Sequence, residues 1–369
     1  MKIKLSNLII VVLFGIFIAG LGIAHFLVPD ASVSAAERRK LAQKPEFSLE
    51  TLVSGKFTTK AEDYLADQFP LRQQWRTVKA AWQFGAFRQK DNDGIYIVDG
   101  SVYKLTGKLD EAQVNALVNK VNSVYEKYLA GMKVYFAAIP DKSADVAPAH
   151  GYPTLDYGRL DALLKEGLDG SIDYLGFSLC SGLTHDDYYK TDLHWRQEAL
   201  QPVVTALGSA MDFKAPDISS WQVTEHAPFY GVYCGQSALD VGWDTIKCLF
   251  SPAVDASRVT GLDFKGEKAV YDSADLESLD GYDIFLGGPK TIETVVNPNG
   301  TTGRELYIFR DSFASSLTPL LLESYDKITL IDLRYVASDL LEQFVTFTPG
   351  ADVLFMYSTE ILNSGMLLK

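Results

Sequence analysis

The stretch Leu306-Tyr307-Ile308-Phe309-Arg310-Asp311-Ser312-Phe313 decides how this chain is read. Its first four residues form a short apolar run with the composition of a buried strand. After the polar break at Arg310-Asp311-Ser312, residues Ala314 to Tyr325 read as a helix. The pairing of strand with helix recurs downstream. Lys327 to Leu333 and Val353 to Tyr357 are apolar strand candidates, with a helix candidate from Ser338 to Phe347 between them, and Tyr282 to Leu286 is a further strand candidate upstream. Such alternation predicts an α/β fold with a mostly parallel sheet covered by helices. Ligands in sheets of this kind sit beyond the carboxyl ends of strands, where Ser312 falls.

The pattern extends toward the N-terminus. From Leu109 to Ala130, Val114, Leu117, Val118, Val121 and Tyr125 follow helical spacing, with Gly131 placed to cap the helix. Met132 to Ile139 reads as a buried strand stopped by Pro140, and Gly94 to Leu105 as a hairpin turning at Asp99-Gly100. Leu49 to Lys90 is helical, interrupted at Pro70; a helix from Leu71 to about Phe87 places Trp75, Val78, Trp82 and Ala86 on one side. Ala215 to Asp280 reads as loops and small strands.

At the N-terminus, Lys2 and Lys4 precede an apolar run from Leu8 to Ala24, extended by Phe26 to Val28 around His25. This length crosses a bilayer. Lysines on the amino side, with nothing comparably basic before Arg38, predict a cytoplasmic N-terminus and an extracytoplasmic body. The rival reading is a signal peptide cleaved at Val33-Ser34-Ala35. The run is long for that, so an uncleaved anchor is expected; either reading exports the remainder. Residues 1–28 are thus read as a transmembrane signal-anchor, 29–56 as a juxtamembrane linker and 57–369 as one domain.

The net charge of −13 over 369 residues argues against a nucleic-acid partner and disfavours anionic lipid headgroups as a docking surface. Cys180, Cys234 and Cys248 form no disulfide framework; a Cys234–Cys248 bridge and three free thiols both remain open. No phosphate-binding glycine loop is present, and no cofactor is expected.

Ser312 can serve as a nucleophile at a helix start, or Asp311 and Ser312 can simply cap that helix. A second segment, Tyr188-Tyr189-Lys190-Thr191-Asp192-Leu193-His194-Trp195, offers a carboxylate and an imidazole two residues apart. On extended chain the two side chains point the same way, so Asp192 can orient His194 on a loop or strand end. The competing reading has Asp192 capping a helix and His194 packing beside Trp195. Of the five histidines, His25 lies in the membrane run, and among His150, His185, His194 and His226 only His194 follows a carboxylate by two residues. A metal site built from His185, Asp186, Asp187, Asp192 and His194 is a rival chemistry, but no standard ligand spacing appears and no metal is expected.

The two segments together resemble the DHHW branch of the alginate O-acetyltransferase-like, SGNH-hydrolase-like proteins. The branch's Asp-x-His is met by Asp192 and His194, and its Asp-Ser-Phe by Asp311, Ser312 and Phe313, followed by Tyr325 and Ile331-Asp332-Leu333-Arg334-Tyr335. Tyr64-Leu65-Ala66-Asp67-Gln68-Phe69-Pro70-Leu71-Arg72, Phe229-Tyr230-Gly231 and Asp244-Thr245 also match in order. Leu193, in place of the branch's first histidine, and Arg196, in place of a small hydroxyl residue, depart from the pattern. The resemblance implies an SGNH-type fold in rearranged chain order, with Ser312 as nucleophile, His194 as base and Asp192 as its partner. It implies O-acetyl transfer to, or removal from, a surface polysaccharide, and a membrane-bound O-acyltransferase partner as acyl donor. The amides near Ser312 and Phe313 are expected to hold the oxyanion. Gly231 is a weaker candidate donor, with a plain turn as its alternative. Arg310 and Arg334 are expected either at substrate or in surface salt bridges. The leading expectation is an exported, membrane-anchored acyltransferase working through an acyl-Ser312 intermediate; its rivals are a carbohydrate O-acetyl esterase with the same residues and a non-catalytic glycan-assembly protein on the same fold.

Overall fold

A computed structural model describes residues 5–34, 36–239 and 241–369. Lys2, Lys4 and Ala35, which carry the orientation and cleavage readings, lie outside them. The chain divides into two compact units, residues 1–93 with 234–240 and residues 94–233 with 241–369.

In the first unit, α1 (Leu5–Leu27) is long and apolar enough to cross a membrane. Strands β1 (Val33–Ser34) and β2 (Arg39–Lys40) pair antiparallel. Helices α2 (Leu49–Val53), α3 (Lys56–Asp67) and α4 (Arg72–Ala81) follow, and a π-helical turn over Trp82–Ala86 prolongs α4. Pro70 separates α3 from α4 because it lacks the N–H that a continuing helix needs. Arg39 meets Asp67 at 2.5 Å, and Glu37 pairs with both Arg72 and Arg76.

The second unit opens with the hairpin β3 (Ile95–Val98) and β4 (Ser101–Lys104), whose turn residues Asp99 and Gly100 both have positive φ. Then come α5 (Glu111–Val124), β5 (Lys133–Ile139), α6 (Val146–Ala149), α7 (Tyr157–Gly167), β6 (Ile172–Gly176) and α8 (Gln201–Met211). The antiparallel pair β7 (Gln222–Phe229) and β8 (Asp244–Phe250) is separated in sequence by α9 (Val232–Ser237), whose residues from Cys234 on belong to the first unit, and α10 (Pro252–Ala256) follows. The remainder holds β9 (Arg258–Gly261), β10 (Ile292–Val296), β11 (Glu305–Arg310), α11 (Phe313–Leu317), β12 (Lys327–Ile331), β13 (Asp352–Ser358) and α12 (Thr359–Leu362).

Seven strands form one sheet in the order β6-β5-β13-β11-β12-β10-β9. The first five run parallel, and β10 and β9 close the far edge antiparallel. The fold is the expected α/β class with a mostly parallel sheet. Alternation along β11 divides the core: Leu306 and Ile308 pack with α8 and α11, and Tyr307 and Phe309 with α5 and α7. Burial on both faces explains why β11 and β13 read as unbroken apolar runs.

Three expected elements differ. Gly281–Ile284 is a 3-10 turn capped by Asp280 rather than a strand, and only Phe285 bridges, to Tyr271. A short apolar run has no periodicity to tell a buried turn from a strand. The helix expected through Tyr325 stops at Leu317 and tightens into a 3-10 turn over Thr318–Leu321, which contains Pro319. Ser338–Gln343 is likewise 3-10. None of Cys180, Cys234 and Cys248 is in a disulfide.

Candidate active site

Strand β11 delivers Ser312 to the carboxyl edge of the sheet. Asp311 fastens the turn: its carboxylate accepts from the Phe313 N–H at 3.1 Å and from the Ser358 N–H, at the end of β13, at 2.7 Å. Ser312 begins α11 but makes no side-chain cap. Its Oγ lies instead 2.7 Å from His194 Nε2.

His194 stands on a loop closed by a bridge between Tyr188 and Trp195. Its Nδ1 is 2.7 Å from Asp192 Oδ1, which also accepts the His194 backbone N–H at 3.1 Å. Asp192 and His194 are buried. A carboxylate facing Nδ1 holds the imidazole proton on that nitrogen and leaves the Nε2 lone pair to accept from the serine hydroxyl. The structure thus brings Ser312, His194 and Asp192 into one chain of hydrogen bonds, with the acid and base on a loop rather than a helix.

Further side chains hold this geometry. Asp192 Oδ2 accepts from the Val232 N–H at 2.8 Å. Asp244 accepts from the N–H groups of Lys190 and Thr191 at 2.9 and 2.8 Å and from the Thr191 hydroxyl at 2.6 Å. The His194 ring stacks on Tyr282, centroids 3.8 Å apart and planes within 5°, and leans on Phe313. The Tyr282 hydroxyl and the Trp195 indole N–H both donate to Ser316 Oγ, at 2.8 and 2.9 Å, which ties the imidazole stack to α11. Lys142, just past β5, donates to the carbonyls of Val102 and Lys190, each at 2.8 Å. Burial lowers its pKa to about 7, against the opposing pull of Asp244 and Asp192. A cleft lined by Leu193, Phe313, Lys142, Tyr233, Ser358 and Glu360 reaches the residues that follow Asp192 and Ser312.

Three sequence-level expectations change. The Phe313 amide is occupied by Asp311, so it does not face an oxyanion. The Gly231 amide donates to Thr191 Oγ1 at 2.8 Å and is likewise occupied. What that glycine permits is close approach, because a Cβ there would lie 2.2 Å from the Thr191 carbonyl oxygen. Arg310 is fully buried and pairs with Glu293 at 3.0 Å in the core, away from any surface bridge. Arg334 pairs with Asp332. In the segment considered for metal, His185 faces Asp145 at 2.8 Å. Among the described residues no group of three or more His, Cys, Asp or Glu side chains is gathered as for a metal.

Sequence reasoning passed over Asp244, Tyr282 and Lys142 as functional residues. Asp244 carried a signal in the ordered Asp244-Thr245 match; the other two lie far along the chain from the loop they support.

No family model matches the chain. A probable alginate O-acetylase AlgJ from Pseudomonas syringae pv. tomato is 26% identical over 200 residues, spanning 49% of this chain and 50% of its own length. The chain thus matches about half the length of this curated relative. A crystal structure of a DHHW family protein from Eubacterium siraeum superposes with a TM-score of 0.63 at 20% identity, covering 75% of this chain and 94% of that one. Bacillus cereus PatB1 superposes at 0.59 with 17% identity, covering 75% and 99%. The fold is that of the DHHW family protein, in agreement with the resemblance read from the motifs.

Proposed function

We propose that this chain is an exported, membrane-anchored serine O-acyltransferase that acetylates a cell-surface or secreted polysaccharide through an acyl-Ser312 intermediate. The observation that carries the proposal is the pair of 2.7 Å contacts, Ser312 Oγ to His194 Nε2 and His194 Nδ1 to Asp192 Oδ1. The partial sequence match to a probable alginate O-acetylase supports the substrate class.

In this mechanism His194 Nε2 takes the Ser312 proton as Oγ attacks the acyl carbonyl of the donor. Asp192 stabilises the imidazolium that forms. His194 then returns the proton to the leaving group, and an acyl-Ser312 ester remains. A glycan hydroxyl gives its proton to His194 Nε2, attacks the ester and leaves acetylated, and His194 passes that proton to the departing Ser312 Oγ. A membrane-bound O-acyltransferase supplies acyl groups from the cytoplasmic side. Helix α1 holds the chain to the membrane with residues 57–369 outside.

The test is the purified full chain given an acetyl ester with and without a polysaccharide acceptor. The expected result is an acetylated Ser312 peptide by mass spectrometry and acetyl groups on the polysaccharide, both absent in Ser312→Ala. Rapid ester hydrolysis that no acceptor diverts would make the chain an esterase. Unchanged surface acetylation in cells carrying Ser312→Ala would make it a non-catalytic assembly protein.

A further inference from the structure

The helix carrying Trp75, Val78 and Trp82 has no part in the proposed chemistry, and its apolar side is exposed among the described residues. Leu71, Trp75, Val78 and Trp82 recur at helical spacing along α4 and its π-helical extension, and all four are exposed, Trp82 at 59%. The other side of α4 is polar and engaged. Arg72 and Arg76 pair with Glu37, and Arg76 donates to the Gly235 carbonyl at 3.1 Å. Ala80 is fully buried.

The exposed side is continuous with α1. The Trp75 ring meets Phe17 edge-on, centroids 6.3 Å apart. Phe17 lies about 15 Å along the axis from Leu27 at ~1.5 Å per residue, well inside a helix that spans ~30 Å of hydrocarbon. The seating of α4 beside α1 is fixed where α1 ends. The Gln68 side chain donates to the carbonyls of Ala31 and Ala42, each at 2.9 Å, and accepts from the Ala31 N–H at 3.0 Å. Tyr64 donates to Asp30 and packs edge-on against His25. A chain that inserts α1 therefore brings α4 to the membrane with it. The charge of this region permits that: residues 29–93 carry eleven Lys and Arg against nine Asp and Glu, although the whole chain is −13.

We infer that the Leu71–Trp75–Val78–Trp82 face of α4 is covered by lipid acyl chains beside α1. An amphipathic helix buries its apolar side among acyl chains and turns its polar side away from them. The occupant is hydrocarbon, which covers an apolar stripe without any charge complement. The inference rests on reading α1 as a membrane anchor.

The full chain is reconstituted in nanodiscs of phosphatidylcholine, plain or brominated on the acyl chains, and tryptophan emission is read. Bromolipid is expected to quench the wild-type chain. The Trp75→Phe/Trp82→Phe variant is expected to lose that quenchable component and keep the emission of Trp195, Trp221 and Trp243. Equal wild-type emission in the two lipids, with the chain recovered in nanodiscs, overturns the inference in favour of a protein partner and leaves the anchor standing. A chain that does not enter nanodiscs overturns the anchor reading, and the inference with it.

Discussion

The two units differ in how fully they enclose their largest aromatic side chains. The sheet unit encloses Trp195, Tyr307, Phe309, Phe313 and Tyr357 almost completely, whereas the N-terminal unit leaves Trp75, Trp82 and Phe87 exposed. They differ in their ion pairs too: Arg310–Glu293 is sealed inside the sheet unit, while Arg39–Asp67 lies near the surface of the other. One unit uses its apolar surface to build a core that holds chemistry in register. The other presents apolar surface outward, as the lipid contact proposed above requires.

The largest expected effect confines chemistry to the sheet unit. Ser312→Ala or His194→Ala should lower acetyl-ester turnover by about 10⁴-fold or more while the thermal midpoint holds. An equal loss in a Trp75→Phe chain would break the division between the units.

Next in size is the buried pair. Arg310→Met leaves Glu293 unpaired in the core, where burial already raises its pKa to about 7, and should cost roughly 3–5 kcal/mol in urea unfolding; a double Arg310→Met/Glu293→Met change should recover much of it. Gly231→Ala forces a Cβ onto the Thr191 backbone and shifts Asp192. About a 10²-fold fall in activity is expected, since displacement on the order of 1 Å has that effect on a catalytic group.

Lys142 gives a pH signature. Its folded pKa of about 7 lies below the ordinary 10.5, so between those values the unfolded chain binds more protons. Its contribution to stability therefore rises as pH rises through that window. Denaturation midpoints at the two ends should show this rise in the native chain and a smaller one in Lys142→Met. The smallest effect belongs to the N-terminal unit. Hydrogen bonding to Arg39 lowers the Asp67 pKa to about 2. The stabilisation is complete above the ordinary 3.8 and is lost as pH falls toward 2. Because the pair is near the surface, Asp67→Asn should cost only ~0–1 kcal/mol at neutral pH, less in high salt. A cost equal to that of Arg310→Met would erase the contrast.

Much of the site was legible because its signals are local. The strand before Ser312 reads from four consecutive apolar residues, and the Asp192–His194 pairing from a spacing of two on extended chain. The helix stripe at Trp75, Val78 and Trp82 reads from periodicity alone. What was not legible depends on residues far along the chain. Tyr282 appeared as part of a strand, yet it is the plate on which His194 stacks. The Phe313 and Gly231 amides looked available because an amide's partner cannot be read from its own neighbours; Asp311 and Thr191 take them. Arg310 looked like a surface charge because nothing near it in sequence announced Glu293.

By itself, then, the sequence determined the α/β class, the strands that carry the serine, the apolar N-terminal helix and the residues able to act as nucleophile, base and acid. Those follow from periodicity and side-chain chemistry, which are properties of short stretches. Only the tertiary structure decided that Ser312 and His194 lie within hydrogen-bond reach, which amides are already occupied, and which charges are buried. Those are outcomes of long-range packing, in which every buried polar group takes whatever partner the fold brings to it.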